Sequence, residues 1–278
     1  MTETQAPGPG RRPTLSSILE ATRARVARLG PRRRELERAA ARAAPIPSWS
    51  GALRGSELAV IAEVKRRSPS AGDIAPDLDP ATHARGYAAG GARALSVLTD
   101  AAHFGGSLDD LRAVREAVEL PVLRKDFIID PVQLFEARAA GASAVLLIVR
   151  AVPDETLSEL AALARELGLA CLVEVHAAAE LSRAVAVRPD CIGVNARDLD
   201  TFAVDRDAAR AVLRQVPASI LAVAESGITT RQDVTRVATD GADAILVGTA
   251  LAGAPDPAAA VRRLVGVPRR RGARRESR

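Results

Sequence analysis

This 278-residue sequence has little cysteine, no long apolar run and no apolar leader. Two cysteines, Cys171 and Cys191, are too few for a disulfide framework, and we expect both to be small buried side chains. No stretch of about 18 uncharged apolar residues is present, so we expect no membrane span. The N-terminus, MTETQAPGPGRRPT, lacks the apolar core of a signal peptide. These absences predict a cytoplasmic protein without membrane partners.

Aromatic residues and metal-binding spacings are also scarce. One Trp, one Tyr and four Phe are too few for the base-stacking platforms of a nucleic-acid binder. The three histidines, His83, His103 and His176, show no metal-binding spacing, and no HExxH or CxxC motif occurs, so we expect no metal. A GxGxxG turn is absent too, and we expect no cofactor.

The net charge of +5 is concentrated at one end of the chain. Residues 268–278, PRRRGARRESR, contain six arginines and one glutamate, which accounts for the whole net charge. We therefore expect a disordered, solvated tail rather than a nucleic-acid partner. An anion-binding tail is the alternative, and nucleic-acid binding through it would depend steeply on salt.

Lysine and asparagine are almost missing. Of the 39 basic residues only Lys65 and Lys125 are lysine, and Asn195 is the single asparagine. Such a bias is typical of a GC-rich genome, where arginine easily replaces a surface lysine. Arginine does not replace a lysine that must lose its proton or act as a compact donor. The three residues are therefore candidates for function, with chance survival at structural positions as the alternative.

The sequence divides into a leader, one large domain and the tail. Residues 1–13 are rich in Pro, Gly and Arg, residues 14–267 form the predicted domain, and residues 268–278 form the tail. Apolar residues at helical spacing predict a helix over 15–42, with Ser17 and Glu20 as a capping box. The proline-containing segment 44–53 predicts a linker.

Eight short apolar runs alternate with Ala/Leu/Arg-rich helical stretches. This alternation predicts a parallel sheet, and runs without polar alternation predict strands buried on both faces. Eight such units favour an α/β fold, a (β/α)₈ TIM barrel with an extra N-terminal helix. A doubly wound open sheet is the alternative. The runs cover 58–64, 94–99, 120–124, 144–149, 170–175, 191–194, 220–225 and 244–248.

Charged and amide residues gather where the predicted strands end. In a (β/α)₈ barrel these ends share one mouth, where the active site lies. Acids and bases held together in a partly dehydrated pocket shift one another's pKa values. A layer of ion pairs that merely fills the barrel is the alternative. The residues are Glu63 and Lys65 after strand 1, Lys125 at strand 3, Glu174 at strand 5, Asn195 and Arg197 at strand 6, and Glu225 at strand 7.

Glycines follow the last two predicted strands. Ser226-Gly227 ends strand 7 and Gly248-Thr249 ends strand 8. Glycine lets backbone N–H groups approach an anion, and this fold often binds phosphate after strands 7 and 8. Ser68, in the KRRSPS loop after strand 1, adds a hydroxyl donor. Together these three loops predict a phosphorylated small-molecule substrate. The alternative is that they contain ordinary turn residues.

At these positions the sequence resembles the indole-3-glycerol phosphate synthase family over roughly residues 14–266. The motifs are IAEVKRRSPSAG (61–72), SVLTDAAHFGGS (96–107), PVLRKDFIIDPVQLFEAR (121–138), LVEVH (172–176), IGVNARDL (192–199), AESGI (224–228) and ILVGTAL (245–251). The first and third are highly specific, whereas AESGI and ILVG are shared with other phosphate-binding barrels. Small departures occur at His103, Ala196 and Thr249, which bear on substrate affinity rather than on the reaction type.

The resemblance implies a cofactor-free, monomeric carboxy-lyase of tryptophan biosynthesis acting on 1-(2-carboxyphenylamino)-1-deoxyribulose 5-phosphate. It implies that Lys125 is the general acid of ring closure and that Glu174 and Lys65 handle dehydration. We expect neighbouring cations to lower the pKa of Lys125. The remaining implied roles are orientation by Glu63 and Asn195, an apolar wall of Phe104 and Phe127, and substrate or phosphate contacts of Ser68, Arg197, Glu225, Ser226, Gly227, Gly248 and Thr249.

Two other readings of the barrel remain. Phosphoribosylanthranilate isomerase has a similar phosphate site, but the resemblance to it would place a cysteine base at the end of strand 1, where this sequence has EVK. A non-catalytic barrel that binds a phosphorylated ligand would have no use for Lys65, Lys125 and Glu174 together. An activity assay separates these readings.

Overall fold

Eight apolar segments form parallel strands that close into a barrel, in a computed structural model that describes residues 13–270. Each strand pairs with the next, and the first strand closes the ring by pairing with both the second and the eighth. The predicted (β/α)₈ barrel is therefore confirmed. The strands are β1 Ala59–Val64, β2 Ala94–Leu98, β3 Val122–Lys125, β4 Ala144–Ile148, β5 Ala170–Val175, β6 Cys191–Asn195, β7 Leu221–Glu225 and β8 Ala244–Val247.

The predicted strand bounds differ from these by at most two residues. The largest difference is in β3, which was expected over 120–124 and runs over Val122–Lys125. Pro121 explains the later start, because proline has no amide hydrogen to donate to a neighbouring strand. At its other end, the strand extends one residue further than expected, so Lys125 is its last residue.

Helices connect the strands, and most begin at a side-chain cap. Asp79, Ser107, Asp130 and Thr230 each accept a hydrogen bond from a backbone N–H in the first turn of the following helix. The helices that follow the strands are α4 Pro80–Ala89, α5 Ala101–Phe104, α6 Leu108–Ala117, α7 Pro131–Ala139, α8 Asp154–Glu166, α9 Leu181–Ala186, α10 Arg206–Leu213, α11 Arg231–Thr239, α12 Thr249–Ala252 and α13 Pro257–Arg262.

The N-terminal extension is helical but is not one helix. The prediction of a single helix over 15–42 was wrong: α1 Leu15–Leu29 ends in a 3₁₀ turn, Gly30–Arg32, and α2 covers Arg33–Arg42. Pro31 is the cause, because its ring lacks an amide hydrogen and crowds the preceding turn. The capping box also differs from the prediction, which paired Ser17 with Glu20. Thr14 caps the helix, and Ser17 is its reciprocal partner.

The predicted linker over 44–53 contains a short helix, α3 Trp49–Ala52. Ser48 caps it by accepting a hydrogen bond from the Gly51 N–H at 3.1 Å. Trp49 is 2% exposed, and its indole Nε1 lies 3.3 Å from the Cys191 Sγ. The segment thus closes the end of the barrel opposite the strand carboxyl ends. Cys191 and Cys171 are both buried free cysteines, as predicted.

Side chains along each strand alternate between the helices and the barrel interior. In β1, Val60 and Ala62 belong to the core under the helices, and Ile61 belongs to the interior core. Two residues after Ile61, Glu63 occupies the next inward position. The same step places Lys125 above Leu123, Glu174 above Leu172 and Glu225 above Val223. The interior is therefore apolar at its base and charged at its carboxyl end.

Two residues of the predicted tail, Pro268 and Arg269, contact the barrel. Pro268 forms an isolated β-bridge with Glu57, and the Arg269 N–H donates to the Ser56 carbonyl at 2.9 Å. Arg269 also forms an ion pair with buried Asp243. The domain boundary at 267 stays a prediction. Residues 271–278, and residues 1–12 of the predicted leader, lie outside the described residues. Across 13–270, none of the helices has the length and apolar character required to cross a membrane.

Candidate active site

A cavity of about 910 Å³ opens at the carboxyl ends of the strands. It brings together every site residue predicted from the sequence, contributed by seven of the eight strands and the loops that follow them. The residues are Glu63, Lys65, Ser68, Phe104, Lys125, Phe127, Glu174, Asn195, Arg197, Glu225, Ser226, Gly227, Gly248 and Thr249.

Lys125 lies between two buried carboxylates. Its Nζ is 3.5 Å from an oxygen of Glu174 and 3.5 Å from an oxygen of Glu225. The two glutamate side chains are 1% and 2% exposed, and the lysine side chain is 15% exposed. The three residues end β3, β5 and β7, so the barrel geometry itself creates this cluster.

The two carboxylates differ in protonation. Burial raises the pKa of Glu225 to about 8, and repulsion from Glu174 and Glu63 adds to the rise against the attraction of Lys125. Burial also opposes ionisation of Glu174, but Lys125 and His176, together with the neighbouring Asn195 and Glu225 side chains, lower its pKa. The two shifts are opposite in direction, so Glu174 ionises more readily than Glu225.

Lys125 differs from the expectation that nearby cations would lower its pKa. Its charged neighbours are carboxylates: burial lowers the pKa of Lys125, and the attractions of Glu174, Glu225 and Glu63 exceed that effect and raise it. The expected shift was therefore wrong in direction. A lysine with a raised pKa is fully protonated at neutral pH, so it is available as an acid rather than as a base.

Lys65 is paired with Glu63 at 3.0 Å. The neighbouring strand must leave room for this pair, and Gly248 does so: a methyl group there would overlap the Glu63 carboxylate and lie 2.9 Å from the Lys65 Nζ. Gly248 is thus needed for close approach as well as for its place at the mouth. In the same way, a methyl group at Gly193 in β6 would overlap the Glu225 carboxylate.

Asn195 and Arg197 lie at the end of β6. The Asn195 Oδ1 accepts a hydrogen bond from the Arg197 N–H at 3.0 Å. This bond leaves the Asn195 amide nitrogen as the group that can donate to Glu174. The Arg197 Nη1 donates to the Phe202 carbonyl at 3.0 Å, which fixes the guanidinium beside the cavity.

The cavity has one apolar wall. The rings of Phe104 and Phe127 lie with centroids 6.4 Å apart and planes inclined at 36°. Leu146 and Ile148, from inward positions of β4, continue this wall. Sequence reasoning missed both, although the inward alternation of β4 contains the signal. This wall and the Lys125 cluster line the same cavity.

The opposite side of the mouth is built from the turns after β7 and β8. Ser226 has a φ of 65° and Gly227 a φ of 72°, so two successive residues adopt left-handed backbone. Ser226 is a non-glycine residue in this region, which marks a strained turn of the kind found at functional sites. Gly248 precedes α12, which begins at Thr249. Ser68, whose Oγ lies 3.3 Å from that of Ser70, also lines the cavity.

A buried charge cluster holds the loop that carries Lys125 and Phe127. Asp126 accepts hydrogen bonds from Arg124 at 2.9 Å, from Thr99 at 2.7 Å and from Arg25 of α1 at 2.6 Å. Its Oδ1 also accepts the Phe127 N–H at 2.8 Å. Sequence reasoning did not single out this cluster, because its partners lie far apart in the chain.

Arg206 is a second residue that the sequence did not indicate. Its side chain covers Gly227, where an added methyl group would lie 3.0 Å from the Arg206 Nε, and Asp233 holds its guanidinium at 3.2 Å. It therefore places a cation beside the left-handed turn. In a chain with so many arginines, nothing local in the sequence distinguishes it. Among residues 13–270, no group of three or more His, Cys, Asp or Glu side chains is arranged as a metal site.

Comparison with solved structures shows that the barrel is shared with other proteins. Thiamine phosphate pyrophosphorylase from Pyrococcus furiosus is 21% identical, with a TM-score of 0.56, covering 74% of this chain and 93% of that one. A 3-hexulose-6-phosphate synthase is 17% identical, with a TM-score of 0.60, covering 74% of this chain and 98% of that one. At such identities the likeness is one of fold alone.

Sequence comparison is more specific. An indole-3-glycerol phosphate synthase of Nocardioides sp. is 55% identical over 223 residues, which is 80% of this chain and 84% of that protein. Another, of Mycobacterium ulcerans, is 49% identical over 255 residues, which is 90% of this chain and 93% of that protein. The family model for indole-3-glycerol phosphate synthase matches residues 15–264. The chain therefore belongs to the indole-3-glycerol phosphate synthase family.

Proposed function

We propose that this chain converts 1-(2-carboxyphenylamino)-1-deoxyribulose 5-phosphate to indole-3-glycerol phosphate, with loss of carbon dioxide and water, in tryptophan biosynthesis. The observation that carries the proposal is the position of Lys125 between the ends of β5 and β7, 3.5 Å from both Glu174 and Glu225, in a cavity with an aromatic wall. Ring closure needs an acid at a carbonyl oxygen beside a slot for an aryl group, and this arrangement supplies both.

In the first step, Lys125 acts as the general acid. The ring carbon that bears the carboxylate attacks the ketone carbon, a carbon–carbon bond forms, and the Lys125 Nζ donates a proton to the ketone oxygen. The substrate carboxylate then leaves as carbon dioxide, and its bonding electrons restore the aromatic ring. This step needs no external electron sink, since the cationic nitrogen of the closed ring accepts the electrons.

In the second step, Lys65 and Glu174 remove water. Lys65, held by Glu63 at 3.0 Å, donates a proton to the departing hydroxyl. Glu174, the ionised carboxylate of the cluster, accepts the proton that leaves the adjacent ring position. Two protons are donated and one is accepted, which balances the loss of the carboxylate charge. Asn195 orients Glu174 during this transfer.

The remaining residues bind the two ends of the substrate. Phe104 and Phe127 contact the aryl ring. The hydroxyl and backbone N–H groups of the turns after β7 and β8 bind the phosphate, and the left-handed backbone at Ser226 and Gly227 lets successive N–H groups face an anion. The phosphate contacts are Ser68, Arg197, Ser226, Gly227, Gly248 and Thr249, and Glu225 contacts the substrate from the end of β7.

The direct test is turnover by the purified protein. We expect indole-3-glycerol phosphate fluorescence to appear with one carbon dioxide released per product, without added metal or nucleotide. Inorganic phosphate or sulfate should compete with the substrate. Binding of the substrate without turnover would favour the non-catalytic alternative, and a requirement for a divalent ion after chelation would contradict the cofactor-free mechanism.

We also propose a cytoplasmic enzyme that acts as a monomer. All the residues assigned above come from one chain and line one cavity, so catalysis does not need a partner subunit. Light scattering during size-exclusion chromatography should give a mass near 29.1 kDa. An oligomer whose dissociation abolishes turnover would contradict the proposal.

A further inference from the structure

His176 occupies a buried position between two carboxylates. Its side chain is 5% exposed, and its Nε2 lies 3.3 Å from the Oε1 of Glu174. Its Nδ1 lies 3.8 Å from the Oε2 of Glu180. Because residues two apart at a strand end point the same way, Glu174 and His176 lie on one side of β5. The ring therefore connects a residue of the site with a residue outside it.

Glu180 is a rigid anchor for this ring. Its Oε2 accepts the His176 backbone N–H at 2.7 Å, and its Oε1 accepts two hydrogen bonds from Arg150 at 3.0 and 2.8 Å. Burial raises the pKa of Glu180, but hydrogen bonds from His176 and Arg150 outweigh burial and lower it to about 2. Arg150 also bonds Asp198 at 3.2 Å, which links the loops after β4, β5 and β6.

Apolar packing alone does not explain why a histidine occupies position 176. Both nitrogens of His176 are buried, and neither has an aligned hydrogen-bond partner among the described residues, although each faces a carboxylate oxygen. A buried polar atom left without a hydrogen-bond partner destabilises the folded protein. An imidazole at this place is therefore useful only if its nitrogens interact with the two carboxylates.

His176 and Lys125 contact different oxygens of the Glu174 carboxylate. Oε1 of Glu174 faces His176, and Oε2 lies 3.5 Å from the Lys125 Nζ. A donor at Nε2 would fix the rotation of the carboxylate and leave Oε2 toward the cavity. Without that donor, the carboxylate could turn both oxygens toward Lys125, and an acid and a base that pair too closely lose their separate roles.

We propose that His176 is a positioning residue for Glu174: anchored by Glu180, it holds the carboxylate of Glu174 turned toward the cavity. The inference rests on the proposed function, because its effect appears in the proton transfer assigned to Glu174. The only sequence feature that indicates this role is the spacing of Glu174 and His176 in LVEVH.

Loss of His176 should also change the pH dependence of catalysis. The groups that face Glu174 are Lys125 from β3, Asn195 from β6, Glu225 from β7 and His176, and those that face His176 are Glu174 and Glu180, the latter bound to Arg150. His176 helps to lower the pKa of Glu174. Its loss should raise that pKa and move the acid limb of the kcat–pH profile to higher pH.

The test compares His176→Leu with His176→Gln and His176→Asn. A glutamine amide nitrogen reaches the position of Nε2, whereas an asparagine amide reaches only that of Nδ1. Misplacing a base should forfeit part of the about 10²–10⁴-fold contribution of acid–base catalysis, so we expect kcat of His176→Leu to fall about tenfold with KM little changed. His176→Gln should recover most of kcat, and His176→Asn should not. His83→Leu, in α4 outside the cavity, is the matched control.

The kinetics of the three variants distinguish a positioning role of His176 from a merely structural one. If all three variants lose kcat equally and the acid limb stays in place, His176 is only structural and the proposal is wrong. A leucine variant with wild-type kcat would also overturn it. If the leucine variant does not fold, the difference between Gln and Asn still tests the donor position. The wild type is measured in the same assay: no wild-type turnover would refute the proposed function itself, whereas wild-type turnover with unaffected variants refutes only the role of His176.

Discussion

The Lys125 ammonium nitrogen lies 3.5 Å from the Glu174 carboxylate, and both side chains are mostly buried. The pair places a proton donor beside a proton acceptor with both charged at neutral pH. Glu225 is equally near the lysine, but burial and the neighbouring carboxylates raise its pKa, so it loses its proton less readily than Glu174. The proposed acid and base are thus distinguished by their surroundings and not by their residue types alone.

Lys125→Arg tests whether this lysine donates a proton or only carries charge. Arginine keeps the charge, but its guanidinium is larger and planar, so it cannot place a donor where the compact Lys125 ammonium lies. We expect kcat to fall by about 10²–10⁴-fold, with a smaller change in KM because the aryl and phosphate contacts lie elsewhere. Steady-state kinetics of Lys125→Arg and Lys125→Ala, beside circular dichroism melts, provide the measurement. An arginine variant with near-wild-type kcat would transfer the acid role to Lys65.

Gly248→Ala tests the room left for the Glu63–Lys65 pair. The added methyl group would overlap the Glu63 carboxylate and force it away from Lys65. A misplacement of about 1 Å can cost up to about 10²-fold in rate, and we expect kcat to fall between roughly 10- and 100-fold. Gly30→Ala is the control, since a methyl group there has no atom within 4 Å and the backbone is αR. Equal kcat in the two variants would mean that Glu63 does not position Lys65.

The barrel and the candidate site could be predicted from the sequence because both depend on short-range patterns. The strands are continuous apolar runs, and Glu63 and Glu174 each follow an inward apolar residue by two positions. Scarcity singled out Lys65 and Lys125, because the chain uses arginine wherever charge alone is needed.

Other features depend on partners that are distant in the chain. The pKa of Lys125 was expected to fall, but its neighbours come from β1, β5 and β7 and are all acidic. Arg25 reaches Asp126 from an N-terminal helix whose packing the sequence does not specify. The break between α1 and α2 could have been predicted from Pro31 itself. The helical spacing of apolar residues continues across this proline and led to the prediction of one helix.

Two deletions test where the C-terminal tail begins. Removing 268–278 eliminates Arg269 and leaves the buried Asp243 carboxylate without this cation, although the Ala222 N–H still donates to it at 2.7 Å. Breaking a buried ion pair costs about 3–5 kcal/mol, so the unfolding temperature should drop by several degrees. Removing 271–278 should leave it unchanged. Neither deletion should alter kcat/KM much, because the pair lies at the end of the barrel opposite the cavity. Equal melting temperatures for the two deletions would show that Arg269 contributes nothing.

Glu225→Gln tests the protonation assigned to the cluster through the pH dependence of stability. The pKa of Glu225 is raised to about 8 by burial and by neighbouring carboxylates, whereas an unfolded chain has a glutamate pKa near 4.5. Between those values the folded protein binds more protons than the unfolded chain, so the contribution of this group to stability falls as pH rises and is fully lost above about 8. Glutamine cannot ionise and lacks this loss. We therefore expect the melting temperature of Glu225→Gln, relative to wild type, to be higher at pH 9 than at pH 5, by about 2 °C or more. The exposed Glu119→Gln is the control and should show no such trend. A difference that stays constant from pH 5 to pH 9 would mean that Glu225 is already ionised in the folded protein, and Lys125 would then face two carboxylates in the resting site.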